Sequence, residues 1–337
     1  MNMYLAKKIQ GAQVAFQGFH ETAFDTPEAR EAAGNLPNDE RQRLVENLLV
    51  RYPRFELGYA HLSITHMPVK GGTPRKGGVA CLMGDTRAGK SWIVKAYMAE
   101  FPPHTGEFGE MYPMVYVAAT ENSTTSTLTD AFYTATKTRA MAPGLNVPTR
   151  TLNVLNRMLL CGTQLVVIDD VQYMIGKSRS SKEVSRFTSF VRTLVDSKQF
   201  AVQLVGEEDV LFDWMVRSPE LSGRGFRREV IKPFDRTVDG QLDFRLLMAD
   251  IDDRLPFRQS SMLGDAVVAA ELYDFSAGYL GRLMEMISEA AWHAISNGDS
   301  RILFATLRDK CREMAWNHGQ PDYFGDTFMK RYSQVRQ

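Results

Sequence analysis

A glycine-rich segment beginning at residue 84 has the residue types needed to hold a polyphosphate. It reads GDTRAGKS, matches G-x-x-x-x-G-K-S, and lies between the apolar run Val79–Met83 and an amphipathic segment. In such a strand-to-helix turn, backbone N–H groups hold the phosphates, the lysine neutralises the β and γ phosphates, and the serine hydroxyl is a Mg²⁺ ligand. The sequence therefore predicts an ATP and Mg²⁺ site that comprises Gly84, Asp85, Thr86, Arg87, Ala88, Gly89, Lys90 and Ser91.

Two adjacent carboxylates follow a second apolar run. Gln164–Ile168 reads as a buried strand, and Asp169 and Asp170 come directly after it. At the end of such a strand, one acid can hold Mg²⁺ while the next orients the attacking water. We predict that Asp169 is a ligand of Mg²⁺ and that Asp170 orients the attacking water. Because aspartate is shorter than the glutamate that many similar enzymes have there, we expect slow hydrolysis or a different residue on the water.

Three further side chains are candidates for sensing the phosphates. Glu207 follows the run Ala201–Val205. It is either a γ-phosphate sensor or a solvated acid in a loop. Arg224, in the basic turn before the last predicted strand, is the first candidate for an arginine finger acting on a neighbouring subunit, and Arg227 is the second. Arg282 begins a long predicted helix and is either a lid sensor or half of an ion pair.

A basic, serine-rich segment follows the two carboxylates. It contains Lys177, Arg179 and Lys182, which would contact DNA phosphates if the segment faced the channel of a ring, and would otherwise be a solvated surface. Lys+Arg and Asp+Glu both total 40, so the formal net charge is zero. Any binding of nucleic acid therefore depends on a local cluster of this kind.

The arrangement of apolar runs predicts the elements that position these residues. Between 79 and 234, five strand-like runs alternate with helical patterns, which is typical of an α/β fold with a parallel five-stranded sheet and flanking helices. After Pro233 only helical patterns remain, and they predict a small helical lid. The predicted parts are an N-terminal helical region 1–77, a nucleotide-binding core 78–234, a lid 235–316 and a mobile tail 317–337.

The composition is that of a folded globular protein. Of 337 residues, 44% are hydrophobic and 24% are charged. No apolar run approaches the ~18 residues of a membrane span, so we expect a cytoplasmic protein without a membrane partner. The three cysteines are scattered within apolar patterns, which indicates small buried side chains and no metal or disulfide framework.

Taken together, the segments GDTRAGKS, VVIDDVQ, FRREVIKPF and GYLGRLMEMISEA resemble the TniB/TnsC family of transposon ATPases, over about residues 40–300. The resemblance implies an AAA+ P-loop NTPase that needs ATP and Mg²⁺. It also implies a homo-oligomeric ring or filament on double-stranded target DNA, linking a target-selection protein to the transposase. The residues that carry over by motif are Lys90, Ser91, Asp169, Asp170 and Arg282. The DNA contacts of the family match no pattern in this chain.

Three alternative functions remain open. A secretion-associated AAA+ ATPase would have a similar core, although that class usually brings a membrane span or a wall-binding domain. A P-loop phosphotransferase would pass phosphate to an acceptor rather than to water, which a product assay distinguishes. A nucleotide-gated scaffold would hydrolyse ATP negligibly, and measurable turnover would exclude it.

Overall fold

The structure is a computed structural model that describes residues 18–107, 109–139, 141–222, 226–314 and 321–335. Its strands are β1 Val79–Met83, β2 His104–Gly106, β3 Gly109–Met111, β4 Met114–Ala118, β5 Leu165–Asp169, β6 Ala201–Gly206 and β7 Arg227–Val230. Its helices are α1 Pro27–Gly34, α2 Asn38–Glu46, α3 Pro53–His66, α4 Lys90–Ala99, α5 Thr125–Ala135, α6 Val147–Leu160, α7 Gln172–Ile175, α8 Ser181–Asp196, α9 Glu208–Val216, α10 Pro219–Ser222, α11 Val238–Arg254, α12 Ala266–Ser276, α13 Leu280–Asn297, α14 Phe304–Glu313 and α15 Asp326–Val335.

Five parallel strands form the central sheet in the order β4-β5-β6-β1-β7. Every residue of β1, β5 and β6 is buried, which is why these strands read as continuous apolar runs rather than as alternating ones. Parallel pairing brings the carboxyl ends of β1, β5 and β6 to one edge of the sheet. The predicted parallel five-stranded sheet with flanking helices is confirmed.

Helices pack over the sheet with their apolar sides. In α8 the fully buried residues are spaced three or four apart, at Phe187, Phe190, Val191 and Leu194. A short antiparallel hairpin, β2–β3, was not predicted, because its strands have three residues each and no fully buried position. The three cysteines are free and buried, as expected.

The described residues divide into two units with different boundaries from the predicted ones. The first unit contains 53–86 and 90–232, and the second contains 18–52, 87–89 and 233–335. The predicted N-terminal region is therefore split between them. Helix α3 belongs to the first unit, where it packs so closely on α4 that a Cβ at Gly58 would lie 2.9 Å from Ile93 Cδ1. Helix α2 belongs to the second, where Trp292 of α13 donates a hydrogen bond to the carbonyl of Gln42 at 3.2 Å.

The second unit consists of helices, and α11–α14 overlap the helical patterns of the predicted lid. The segment predicted as a mobile tail differs, because it contains α15. Phe328 of this helix is 1% exposed, and Arg331 forms an ion pair with the buried Glu271 of α12. These contacts order a segment that lacks a clear helical period. Across the described ranges of the chain, none of the helices combines the length and apolarity needed to span a bilayer.

Candidate nucleotide and metal site

The turn between β1 and α4 has the backbone geometry of a phosphate-binding loop. Gly84 has φ +147°, and a Cβ there would lie 2.2 Å from the carbonyl oxygen of Ile231, so any larger residue would strain the backbone. Gly89 also has a positive φ, +95°. Lys90 is the first residue of α4, and its Nζ donates hydrogen bonds to the carbonyls of Gly84 at 2.8 Å and Asp85 at 2.7 Å. The loop therefore wraps around a single ammonium group.

The environment of Lys90 combines burial with an excess of negative charge. Its side chain is only 8% exposed, and burial lowers its pKa, while the nearby Asp169, Asp170, Asp85 and Glu207 act in the opposite direction. Cationic lysine is what a polyphosphate requires of this position. The four carboxylates help to keep the ammonium charged in a partly desolvated loop.

A hydrogen bond joins the phosphate-binding loop to the first carboxylate. Ser91 Oγ donates to Asp169 Oδ2 at 2.6 Å, across 78 residues of sequence. Asp169 is 1% exposed, and its Oδ1 accepts from the backbone N–H of Asp170 at 2.8 Å. A hydroxyl and a carboxylate are the hard oxygen ligands that Mg²⁺ takes, usually with only one or two from the protein and the rest from phosphates and water. This pair fits Mg²⁺ bound together with a nucleotide.

No group of three or more His, Cys, Asp or Glu among the described residues is arranged to hold a metal ion. A cage formed by the protein alone is therefore not present among them. If the Ser91–Asp169 pair held Mg²⁺, most of the other ligands would be phosphate oxygens and water.

Tyr116 of β4 is a site residue that sequence reasoning missed. Its hydroxyl donates to Asp169 Oδ2 at 2.7 Å, the same oxygen that accepts from Ser91. Burial and the charge of Asp169 raise the pKa of the Tyr116 phenol, so it remains a protonated donor. The available signal was a hydroxyl-bearing residue in the middle of the otherwise apolar strand MVYVA.

Asp170 lies at the sheet edge in an unusual conformation. Its φ is +55°, in the left-handed region, and its Oδ1 accepts from Gln172 Nε2 at 3.0 Å. Burial and the neighbouring Asp169 raise the pKa of Asp170, while the hydrogen bond from Gln172 and the charge of Lys90 lower it. Gln172 is a second contact that the sequence did not predict, although it stands two residues after the acid.

Glu207 lies beside the phosphate-binding loop. It directly follows β6, and its Oε1 accepts from Thr86 Oγ1 at 3.0 Å. Strand β6 separates β1 from β5, so the residue after it belongs to the same sheet edge as Ser91 and Asp169. The structure brings Glu207 to the site, and its role as a sensor stays a prediction.

Comparison with known proteins identifies the family. The family model described as "Bacterial TniB protein" matches residues 43–235, more than half of the chain. This chain belongs to the TniB family. No curated protein sequence matches it.

Solved structures show the fold of this TniB chain. Cdc6p from Pyrobaculum aerophilum is similar with a TM-score of 0.56 and 13% identity, over 80% of this chain and 70% of that one. The Aeropyrum pernix ORC1 protein, solved in complex with DNA, is similar with a TM-score of 0.54 and 15% identity, over 79% of this chain and 66% of that one. The TniB chain thus has the predicted AAA+ fold.

The second unit of this TniB chain contains Arg282. Its guanidinium carbon lies 4.6 Å from the ring centroid of Phe275. In the same unit, Arg87 forms an ion pair with Glu285 at 2.7 Å, and its carbonyl accepts from the N–H of Gly281 at 2.8 Å. The lid-sensor role of Arg282 stays a prediction.

The two arginine-finger candidates differ in what the structure describes of them. Arg224 lies outside the described residues. Arg227 begins β7 and is exposed. The assignment of a finger to Arg224, with Arg227 as the second candidate, therefore remains a prediction.

The basic segment of the TniB chain contains two kinds of cation. Lys177 and Lys182 are exposed. Arg179 is partly buried, and it donates from Nε to the carbonyl of Tyr173 at 2.6 Å and from Nη2 to the carbonyl of Glu121. Arg179 thus joins the loop that follows β4 to helix α7, whereas the two lysines are exposed to solvent.

Proposed function

We propose that this TniB chain is an ATP-hydrolysing regulator of transposition that assembles on double-stranded target DNA and links a target-selection protein to the transposase. The observation that carries the proposal is the Ser91–Asp169 hydrogen bond at 2.6 Å, within a chain of the TniB family. It joins a phosphate-binding loop to a buried metal acid, which is the arrangement needed for phosphoryl transfer to water. The alternatives named above have no observation that favours them.

Each residue of the site then has a separate task. Lys90 holds the β and γ phosphates, and Ser91 with Asp169 holds Mg²⁺, which supplies Lewis-acid neutralisation of the phosphate charge. Asp170 orients the attacking water and accepts its proton. The left-handed backbone of Asp170 and its hydrogen bond from Gln172 fix the direction of the carboxylate.

Two substitutions separate nucleotide binding from hydrolysis. Lys90→Ala should lose ATP binding and ATP-dependent assembly together, and Asp170→Asn should bind ATP normally but hydrolyse it slowly. Lys95→Ala is the matched control, since Lys95 lies on the same helix, α4, outside the phosphate-binding loop. Unchanged nucleotide affinity in Lys90→Ala would exclude the phosphate role, and unchanged turnover in Asp170→Asn would assign the water to another residue.

DNA binding is proposed for the exposed lysines of the basic segment. Lys177 and Lys182 would contact phosphates rather than base edges, so binding should tolerate any sequence and weaken with salt. The sequence groups Arg179 with them, but its bonds to the carbonyls of Tyr173 and Glu121 support a different effect. Its removal should loosen the contact between helix α7 and the loop that follows β4. The ORC1 protein of similar fold was solved in complex with DNA, which is in keeping with the proposal.

A salt series tests this role. Each lost phosphate contact should reduce the slope of log affinity against log salt by about 0.9 for B-form DNA, so the double variant of Lys177 and Lys182 should lose about 1.8 per engaged subunit. ATP affinity should be unchanged. Arg192→Ala is the matched control, because it removes one exposed charge from the same helix as Lys182, ten residues further along α8. An unchanged slope in the double variant would place the DNA contacts elsewhere.

Assembly and the shared active site are tested together by mixing variants. If Arg224 acts on the neighbouring subunit, Arg224→Ala mixed with Lys90→Ala should recover part of the activity at mixed interfaces. Electron microscopy with ATP and duplex DNA should reveal rings or filaments. Complete inactivity of every mixture, despite demonstrated co-assembly, would exclude sharing in trans, and monomers under all conditions would exclude the assembly itself.

The link to transposition is tested by binding partners. The ATP-bound protein on duplex DNA should retain the transposase and the target-selection protein of the same element, and Lys90→Ala should retain neither. Retention that is equal with and without ATP would contradict an ATP-dependent regulator.

A further inference from the structure

The carboxylate of Asp169, the predicted Mg²⁺ ligand, accepts hydrogen bonds from three donors, and one of these donors lies outside both predicted motifs. Asp169 Oδ1 accepts from the backbone of Asp170, while Oδ2 accepts from both Ser91 Oγ at 2.6 Å and the Tyr116 hydroxyl at 2.7 Å. Ser91 belongs to the phosphate-binding loop. Tyr116 lies in the middle of β4, and its phenol hydroxyl is the third donor.

The register of the sheet explains how Tyr116 reaches the acid. Tyr116 pairs with Val167, and Asp169 follows Val167 by two residues on the same face of β5. The phenol therefore extends along the strand direction and ends at the carboxylate. Because Asp169 is 1% exposed, solvent has little access to replace this donor.

We propose that Tyr116 is a positioning residue for the metal acid: its hydroxyl fixes Asp169 in the orientation in which it serves Mg²⁺ together with Ser91. The inference rests on the proposed function, since it presumes that Asp169 and Ser91 bind the metal of a nucleotide complex. Groups that hydrogen-bond a ligating carboxylate orient it, and their loss commonly reduces metal affinity by about 10- to 100-fold. Tyr116 acts through Asp169 and has no proposed contact with the nucleotide.

Tyr116→Phe removes the hydroxyl and keeps the ring within the sheet. The matched control is Tyr133→Phe, because the Tyr133 hydroxyl also donates one hydrogen bond in the first unit, to the carbonyl of Asn153 at 3.3 Å, and Tyr133 has no contact with the metal acid. Thermal unfolding of both variants measures any general loss of stability.

The decisive measurement is the binding of a fluorescent ATP analogue, first with EDTA and then across a MgCl₂ titration. Tyr116→Phe should bind the metal-free analogue as the parent does, and the Mg²⁺ concentration for half of the metal-dependent change should rise by about 10- to 100-fold. Tyr133→Phe should match the parent in both conditions.

Three outcomes would overturn the inference. An unchanged Mg²⁺ midpoint in Tyr116→Phe would mean that the phenol only completes the packing of the sheet. Equal weakening of binding in EDTA and in Mg²⁺ would likewise indicate a structural role. If the parent itself showed analogue binding with no response to Mg²⁺, the metal assignment in the proposed function would be wrong, and the role of Tyr116 would be wrong with it.

Discussion

Burial of His61 should make the folded protein sensitive to mild acid. His61 lies on α3 in the first unit and is 8% exposed. Its pKa falls from 6.5 to about 4, because burial disfavours the imidazolium and the positive charge of Arg227 repels it. The folded state therefore holds His61 neutral at a pH where the unfolded chain is already protonated.

The size of the effect follows from that difference. The stabilising contribution of His61 is complete above the unfolded pKa of 6.5 and is lost as the pH falls toward the folded value of about 4. Each unit of difference between the unfolded and folded pKa contributes about 1.4 kcal/mol to the free energy of unfolding. The whole difference therefore corresponds to about 3 kcal/mol, of which about 2 kcal/mol is lost between pH 7 and pH 5.

Urea unfolding at pH 7 and pH 5 measures this contribution against a variant that cannot be protonated. His61→Gln should lose about 2 kcal/mol less stability between the two pH values than the parent does. His104→Gln, at an exposed position on β2, should lose as much as the parent. If His61→Gln and the parent lost equal stability, the imidazole would be protonated in the folded state, and the argument from burial would be wrong.

Three further substitutions test the site and the second unit. Gly84→Ala should weaken nucleotide binding by about tenfold or more with little change in circular dichroism, because a Cβ 2.2 Å from the Ile231 carbonyl oxygen forces about 1–3 kcal/mol of backbone strain; parental affinity would contradict the loop geometry. Asp252→Ala should destabilise by roughly 2–4 kcal/mol in urea, since two backbone N–H groups of the following turn lose their acceptor. Phe328→Ala should lower the free energy of unfolding by about 3–5 kcal/mol. Leu246→Ala, at a position 57% exposed, should change it by no more than about 0.5 kcal/mol. Equal losses would contradict the packing of α15.

The sequence was sufficient for those features that are encoded locally. The phosphate-binding loop is one continuous segment, and its glycines and lysine have their roles by position within it. The strands were recognisable because a parallel sheet buried on both faces requires unbroken apolar runs, as in VACLM of β1 and LVVID of β5. The order of elements then indicated the fold class before any contact was known.

The sequence could not give contacts that depend on strand order and register. Ser91 and Asp169 are 78 residues apart, and they meet because β1 and β5 end at the same edge of the sheet. Tyr116 reaches Asp169 only because β4 pairs with β5 in the register that sets Tyr116 opposite Val167. A shift of one residue would turn the phenol to the other face.

Tertiary packing also decided which segments belong together. In the sequence Arg179 is one cation among several, but its two bonds to backbone carbonyls make it a link between helix α7 and the loop that follows β4. The last segment lacked a helical period, yet α15 forms there because Glu271 and an aromatic cluster provide partners from distant parts of the chain. Local sequence specifies the residue types that can form such contacts, whereas only the folded chain determines which of them meet.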